Sequence, residues 1–77
     1  MIIKITQQLK TKKRLIFKGE LASLEQGKDK LEQLAIKSLG LCEITKANEF
    51  INNGDVYEIK SCINFIAPIK CYVEIAQ

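Results

Sequence analysis

Seventy-seven residues hold one small domain, because a chain this short buries only about 60–65% of its unfolded surface. A composition of 47% hydrophobic and 27% charged residues, with 4 Gly and 1 Pro, is that of a globule and excludes a disordered or low-complexity tail. The formal charge is +3 and there is no His or Trp, so the commonest general base and the commonest metal ligand are both missing.

Residues 1–77 are therefore expected to form a single domain. No window approaches the roughly 18 apolar residues of a membrane helix, and Lys4 interrupts the apolar start too early for a signal peptide. Cys42, Cys62 and Cys71 are odd in number and form no C-x-x-C pair, which argues for reduced thiols and against a disulfide framework or zinc ribbon. The expected compartment is the cytoplasm, without a bound cofactor or metal.

In chain order, Ile3, Ile5 and Leu9 alternate with polar residues, which predicts a first strand over residues 2–9. A second alternating run carries Leu15, Phe17 and Leu21 on one face with Gly19. The two are expected to form a hairpin with Leu9 near Leu15, Gln7 near Phe17 and the basic interval Lys10–Arg14 as its loop. Ser23 with Gln26 three residues later is a capping box, and Glu25 suits the positive end of the helix dipole. Leu24, Gly27, Leu31, Leu34, Ala35, Ser38 and Leu39 then form one helical stripe, with Ile36 alone off it. Gly40 is a natural stop. Gly27 on the buried side predicts a close approach of the helix backbone to the sheet.

Residues 41–52 fit two readings. Cys42, Ile44 and Phe50 suit one face of a strand, whereas Thr45 suits the cap of a short helix through Asn52. Asn53-Gly54 predicts a type I′ turn, in which both residues take positive φ. Tyr57, Ile59, Ile63 and Phe65 then share the core face of a strand, Ala67-Pro68 turns the chain, and Ile69, Cys71, Val73 and Ile75 form the closing strand. Cys71 faces the core and Cys62 the other side, so no disulfide joins them.

The order β-β-α-β-β-β, with a short second helix near residues 46–52 as the alternative, and one apolar helix stripe predict a two-layer α+β fold. It consists of an antiparallel sheet of four to five strands with one packed helix. The sheet face away from the helix would display Ile2, Lys4, Thr6, Ile16, Lys18, Glu20, Val56, Glu58, Lys60 and Tyr72.

The charge is unevenly spread. Residues 1–19 hold six bases and no acid, whereas residues 20–77 hold six bases and nine acids. Lys10, Lys12, Lys13, Arg14 and Lys18 thus mark the first hairpin as a contact for phosphates or an acidic surface. Glu25, Asp29 and Glu32 on the outer helix face argue against a DNA-reading helix. The aromatics other than Tyr72 are expected on the core face, which argues against base stacking. No catalytic motif is present, so the chain reads as a non-enzymatic interaction protein.

The run Glu20-Leu21-Ala22-Ser23-Leu24-Glu25-Gln26-Gly27-Lys28, preceded by a basic hairpin and followed by Asn53-Gly54, resembles a small type I-F anti-CRISPR protein family. The resemblance implies a five-stranded antiparallel sheet with one packed helix. It also implies an inhibitor of phage or mobile-element type, which binds the host CRISPR-Cas surveillance complex and blocks target DNA binding. Basic residues of that family contact the complex or its nucleic acid, and Lys28 is the motif position that carries over; the family has consecutive bases there, where this chain has Lys28-Asp29. The alternative from the residues themselves is a nonspecific nucleic-acid-binding module whose basic hairpin contacts phosphates.

Overall fold

The structure is a computed structural model that describes residues 1–63 and 66–76. The element order is β1 (Ile2–Gln8), β2 (Lys13–Glu20), α1 (Leu24–Leu39), β3 (Cys42–Lys46), β4 (Gly54–Ser61) and β5 (Ile69–Ala76). The five strands form one antiparallel sheet in the order β2-β1-β5-β4-β3, with α1 on one face. This is the predicted α+β fold. Residues 42–46 take the strand alternative, and the stretch after them is not helical. Among the described residues no helix is long and apolar enough to cross a membrane.

The core lies between α1 and the sheet centre. Ile3, Ile5, Leu31, Ala35, Tyr57, Ile59, Cys71 and Val73 form one buried cluster. The helix starts where its chemistry dictates: Ser23 Oγ accepts from the Gln26 N–H at 3.2 Å, while Gln26 Oε1 accepts from the Ala22 N–H at 3.0 Å. Gly40 ends it with φ 74°, its N–H donating to the Ile36 carbonyl. Ile36, off the stripe, is exposed. At Gly27 the helix backbone does approach the sheet, since a Cβ there would stand 2.5 Å from Cγ1 of Val73 and 3.1 Å from Cγ2 of Ile3.

Four details depart from the sequence expectation. Gln7 pairs with Arg14 and Ile5 with Phe17, because a bulge between Ile5 and Thr6 places an extra residue, Ile16, on β2. A bulge reverses the alternation beyond it, so Ile16 packs against the core and Leu15, opposite Thr6, is exposed.

The second departure is at the Asn53-Gly54 turn, which is not type I′, because Gly40 is the only described residue with positive φ. Gly54 is required instead by proximity: a Cβ would collide with the Val73 carbonyl oxygen. Asn53 locks the turn onto β5, its side-chain amide donating to the Ile75 carbonyl and its own carbonyl accepting from the Ile75 N–H.

Third, β4 ends at Ser61, whose Oγ accepts from the Ile63 N–H at 3.3 Å and turns the chain. Ile63 is exposed as a result; Phe65, expected on the same core face, lies outside the described residues.

The fourth departure concerns the face away from the helix, where Thr6, Tyr72 and Val56 are adjacent across β1, β5 and β4 and are 8%, 7% and 0% exposed. The connection after β3 is tied to this side of the sheet. Its Glu49 Oε2 lies 2.7 Å from Lys70 Nζ on β5, and its Ala47 N–H donates to the Val56 carbonyl.

Candidate partner-binding site

The β1–β2 connection has none of the usual turn residues, yet it is tight. The Leu9 N–H donates to the Lys12 carbonyl at 2.7 Å. The Gln8 side-chain amide donates to the Leu9 carbonyl at 2.8 Å and reaches the Lys12 carbonyl at 3.4 Å. A side chain of β1 thus satisfies the turn's carbonyls, which Asx or Gly chemistry does elsewhere. Lys10 and Thr11 are left at the tip.

The basic residues leave this hairpin in different directions. Lys10 and Lys12 are exposed at the connection. Lys13 and Arg14, expected in the loop, are the first residues of β2 because the register is shorter than the alternation suggested. Lys13 Nζ stands 3.8 Å from the centroid of the Tyr72 ring, whose hydroxyl donates to Gln8 Oε1 at 3.2 Å. Arg14, one residue on and so on the helix side, donates through Nη2 to Gln7 Oε1 at 3.0 Å. Lys18 faces Lys4 directly across the β1–β2 ladder, and Lys4 in turn faces Glu74 of β5, so Lys18 is the cation of this row that lies farthest from the acid.

Lys28 is not part of this group. Helix geometry puts it on the flank of Glu25 and Glu32, which act on Tyr57 of β4 and Cys42 of β3. Two cations the sequence reading did not single out lie on the β2 side of the helix instead. Lys30 Nζ lies 5.1 Å from the Phe17 ring centroid of β2, and Lys37, seven residues later, falls on the same flank. That seven-residue spacing was the signal available in the sequence.

The result is a band of cations along edge strand β2, running from Lys10 and Lys12 through Lys13, Arg14 and Lys18 to Lys30 and Lys37. Among the described residues none of them forms an ion pair; the three ion pairs present are Met1 ammonium with Glu20, Lys46 with Asp55, and Lys70 with Glu49. Glu20, the acid at the end of β2, lies 2.6 Å from the Met1 ammonium.

The aromatic assignment changes too. Tyr72, expected on an exposed face, is buried beneath Lys13, whereas Phe50 on the β3–β4 connection is 87% exposed. Burial pushes the Cys71 thiol from its ordinary 9.0 up to about 11, and burial followed by neighbouring Cys62 and Glu32 raises Cys42. Both thiols thus stay protonated near neutrality, the unreactive form. Among the described residues no cluster of His, Cys, Asp or Glu is placed to hold a metal ion.

Compared with protein-family models, curated proteins and solved structures, the chain finds no significant match in any of the three.

Proposed function

We propose that this chain is a small non-enzymatic interaction protein of phage or mobile-element type. It inhibits a host CRISPR surveillance complex by occupying its surface and blocking target DNA binding, and the β2 edge is its contact. The observation that carries the reading is the band of exposed cations on the first hairpin, none of which forms an ion pair among the described residues. Unpaired charge concentrated on one edge favours association with an acidic protein surface or nucleic-acid channel and speeds the encounter. The target class comes from the family resemblance of residues 20–28, and the one-helix, five-stranded fold is the one that resemblance implies.

Adding the purified protein to a type I-F surveillance complex and following target DNA binding tests this reading. A stable complex and reduced DNA binding are expected; no complex and unchanged DNA binding would end it. The same cations favour a second reading, direct phosphate contact with free nucleic acid. A salt titration with bare duplex and single-stranded DNA separates the two, since phosphate binding is strongest at low salt. Tight binding to bare DNA supports the second reading, and none at low salt removes it.

A further inference from the structure

The sheet ends in two edge strands, β2 and β3. An edge strand carries a row of backbone N–H and C=O groups with no ladder partner on its outer side, a template for one more strand. The two edges differ in length and charge. β3 spans 5 residues and holds one acid, Glu43, and one base, Lys46. β2 spans 8 residues and holds Lys13, Arg14 and Lys18 against Glu20, and that acid already meets the Met1 ammonium.

The outer side of β2 is open. Among the described residues its one sheet neighbour is β1, and the α1 backbone comes near β1, β3, β4 and β5 but not β2. Leu15 is exposed and Ile16 and Phe17 are half-buried, so this edge offers apolar contact as well as charge. The Phe17 ring lies over Gly19, 2.9 Å from where a Cβ would stand, and fills the gap that a glycine leaves in an edge. A second copy of β2 does not suit the edge. Two such strands side by side would set Lys13, Arg14 and Lys18 of one against those of the other, and like charges across a ladder repel. A strand of carboxylates turns the same three cations into cross-strand pairs.

We propose that an extended acidic segment of a partner protein, with apolar residues interspersed, adds to β2 as a sixth strand. Its backbone pairs with the outer N–H and C=O groups of β2. Its acids stand beside Lys13, Arg14 and Lys18, and its apolar residues beside Leu15 and Phe17. Main-chain hydrogen bonds supply affinity in this mode, and alternate side chains supply specificity. The proposal rests on the β2 edge being the contact, and it names a protein strand, rather than a phosphate backbone, as what that edge meets.

The probe is a capped peptide of alternating glutamate and valine, matched to the 8 residues of β2, added to the whole protein and read by amide hydrogen exchange. Slowed exchange within β2 and unchanged exchange in β3 are expected. Replacing the glutamates by glutamine, or N-methylating two successive central residues so that both peptide edges are blocked, should each weaken binding at least about tenfold through lost hydrogen bonds and charge. Lys18→Glu, an exposed change whose folding a thermal melt verifies, should weaken the glutamate peptide and favour its lysine counterpart. The proposal is overturned if exchange in β2 is unchanged, if β3 is slowed equally, or if the glutamine or N-methylated peptide binds as tightly as the parent. A chain that binds a surveillance complex but not the peptide loses strand addition and keeps its proposed target; one that binds the peptide but not the complex keeps strand addition and loses that target.

Discussion

Gly27 of α1 and Val73 of β5 stand so close that a single added methyl cannot fit: a Cβ on Gly27 would be 2.5 Å from Cγ1 of a fully buried valine. Helix propensity alone would make Gly27→Ala stabilising by about 1 kcal/mol, but overpacking a filled core costs about 1–3 kcal/mol. Net destabilisation is therefore expected in a denaturant melt. Combining it with Val73→Ala should cost less than the sum of the two single changes, because the second creates the space the first needs.

Gly27 was legible from the sequence because a glycine inside an apolar helix stripe has few other reasons to be there. The capped helix start and the strand order along the chain were legible for similar local reasons. The bulge at Ile16 was not. It depends on how Gln8 closes the turn and on which pairing across β1 and β2 fills the core, and neither leaves a mark in alternation. This one residue moved Leu15 outward and Ile16 inward, and sent Arg14 to the helix side while Lys13 went to Tyr72. The basic hairpin was thus readable as a charge run, but its two-sided layout was not. That Lys28 lies on the flank of Glu25 and Glu32 was not legible either, because closeness in sequence to a motif says nothing about which helix flank a side chain occupies.

Thr6 is 8% exposed and its Oγ1 has no hydrogen-bond partner. An unsatisfied buried hydroxyl costs about 1–3 kcal/mol, and valine has nearly the same shape and suits a strand. Thr6→Val should raise the melting temperature. A lowered one would mean that the hydroxyl is satisfied in solution.

The Cys71 thiol, raised by burial from 9.0 to about 11, makes stability depend on alkaline pH. The folded state holds the proton more tightly than the unfolded chain, so this contribution is complete below pH 9 and is lost as pH rises towards 11. Tyr57, also raised chiefly by burial, adds a loss of the same sign. Melts from pH 8 upward should therefore be shallower in pH for Cys71→Ala than for the natural chain, with the two curves converging at high pH.

Neighbouring lysines of the hairpin should behave differently. Lys12 at the exposed connection is bonded among the described residues through its backbone carbonyl, so Lys12→Ala should leave stability within about 0.5 kcal/mol of the natural value. Lys13 covers the Tyr72 ring at 3.8 Å, and losing an exposed cation–π contact costs about 0.5–1 kcal/mol. Lys13→Ala should be the more destabilised of the two by thermal melt. Equal effects would mean the ring contact contributes nothing.

The β2 edge is proposed as the contact through which this chain acts on a nucleoprotein complex. The most direct test is the affinity for a purified type I-F surveillance complex of the natural protein beside a Lys10→Glu, Lys12→Glu, Lys18→Glu variant that melts normally. The natural chain is expected to bind and to lower target DNA occupancy, and the variant to lose at least about tenfold in affinity, equivalent to about 1.4 kcal/mol. Equal affinity of the two, or no binding by either, would contradict the account.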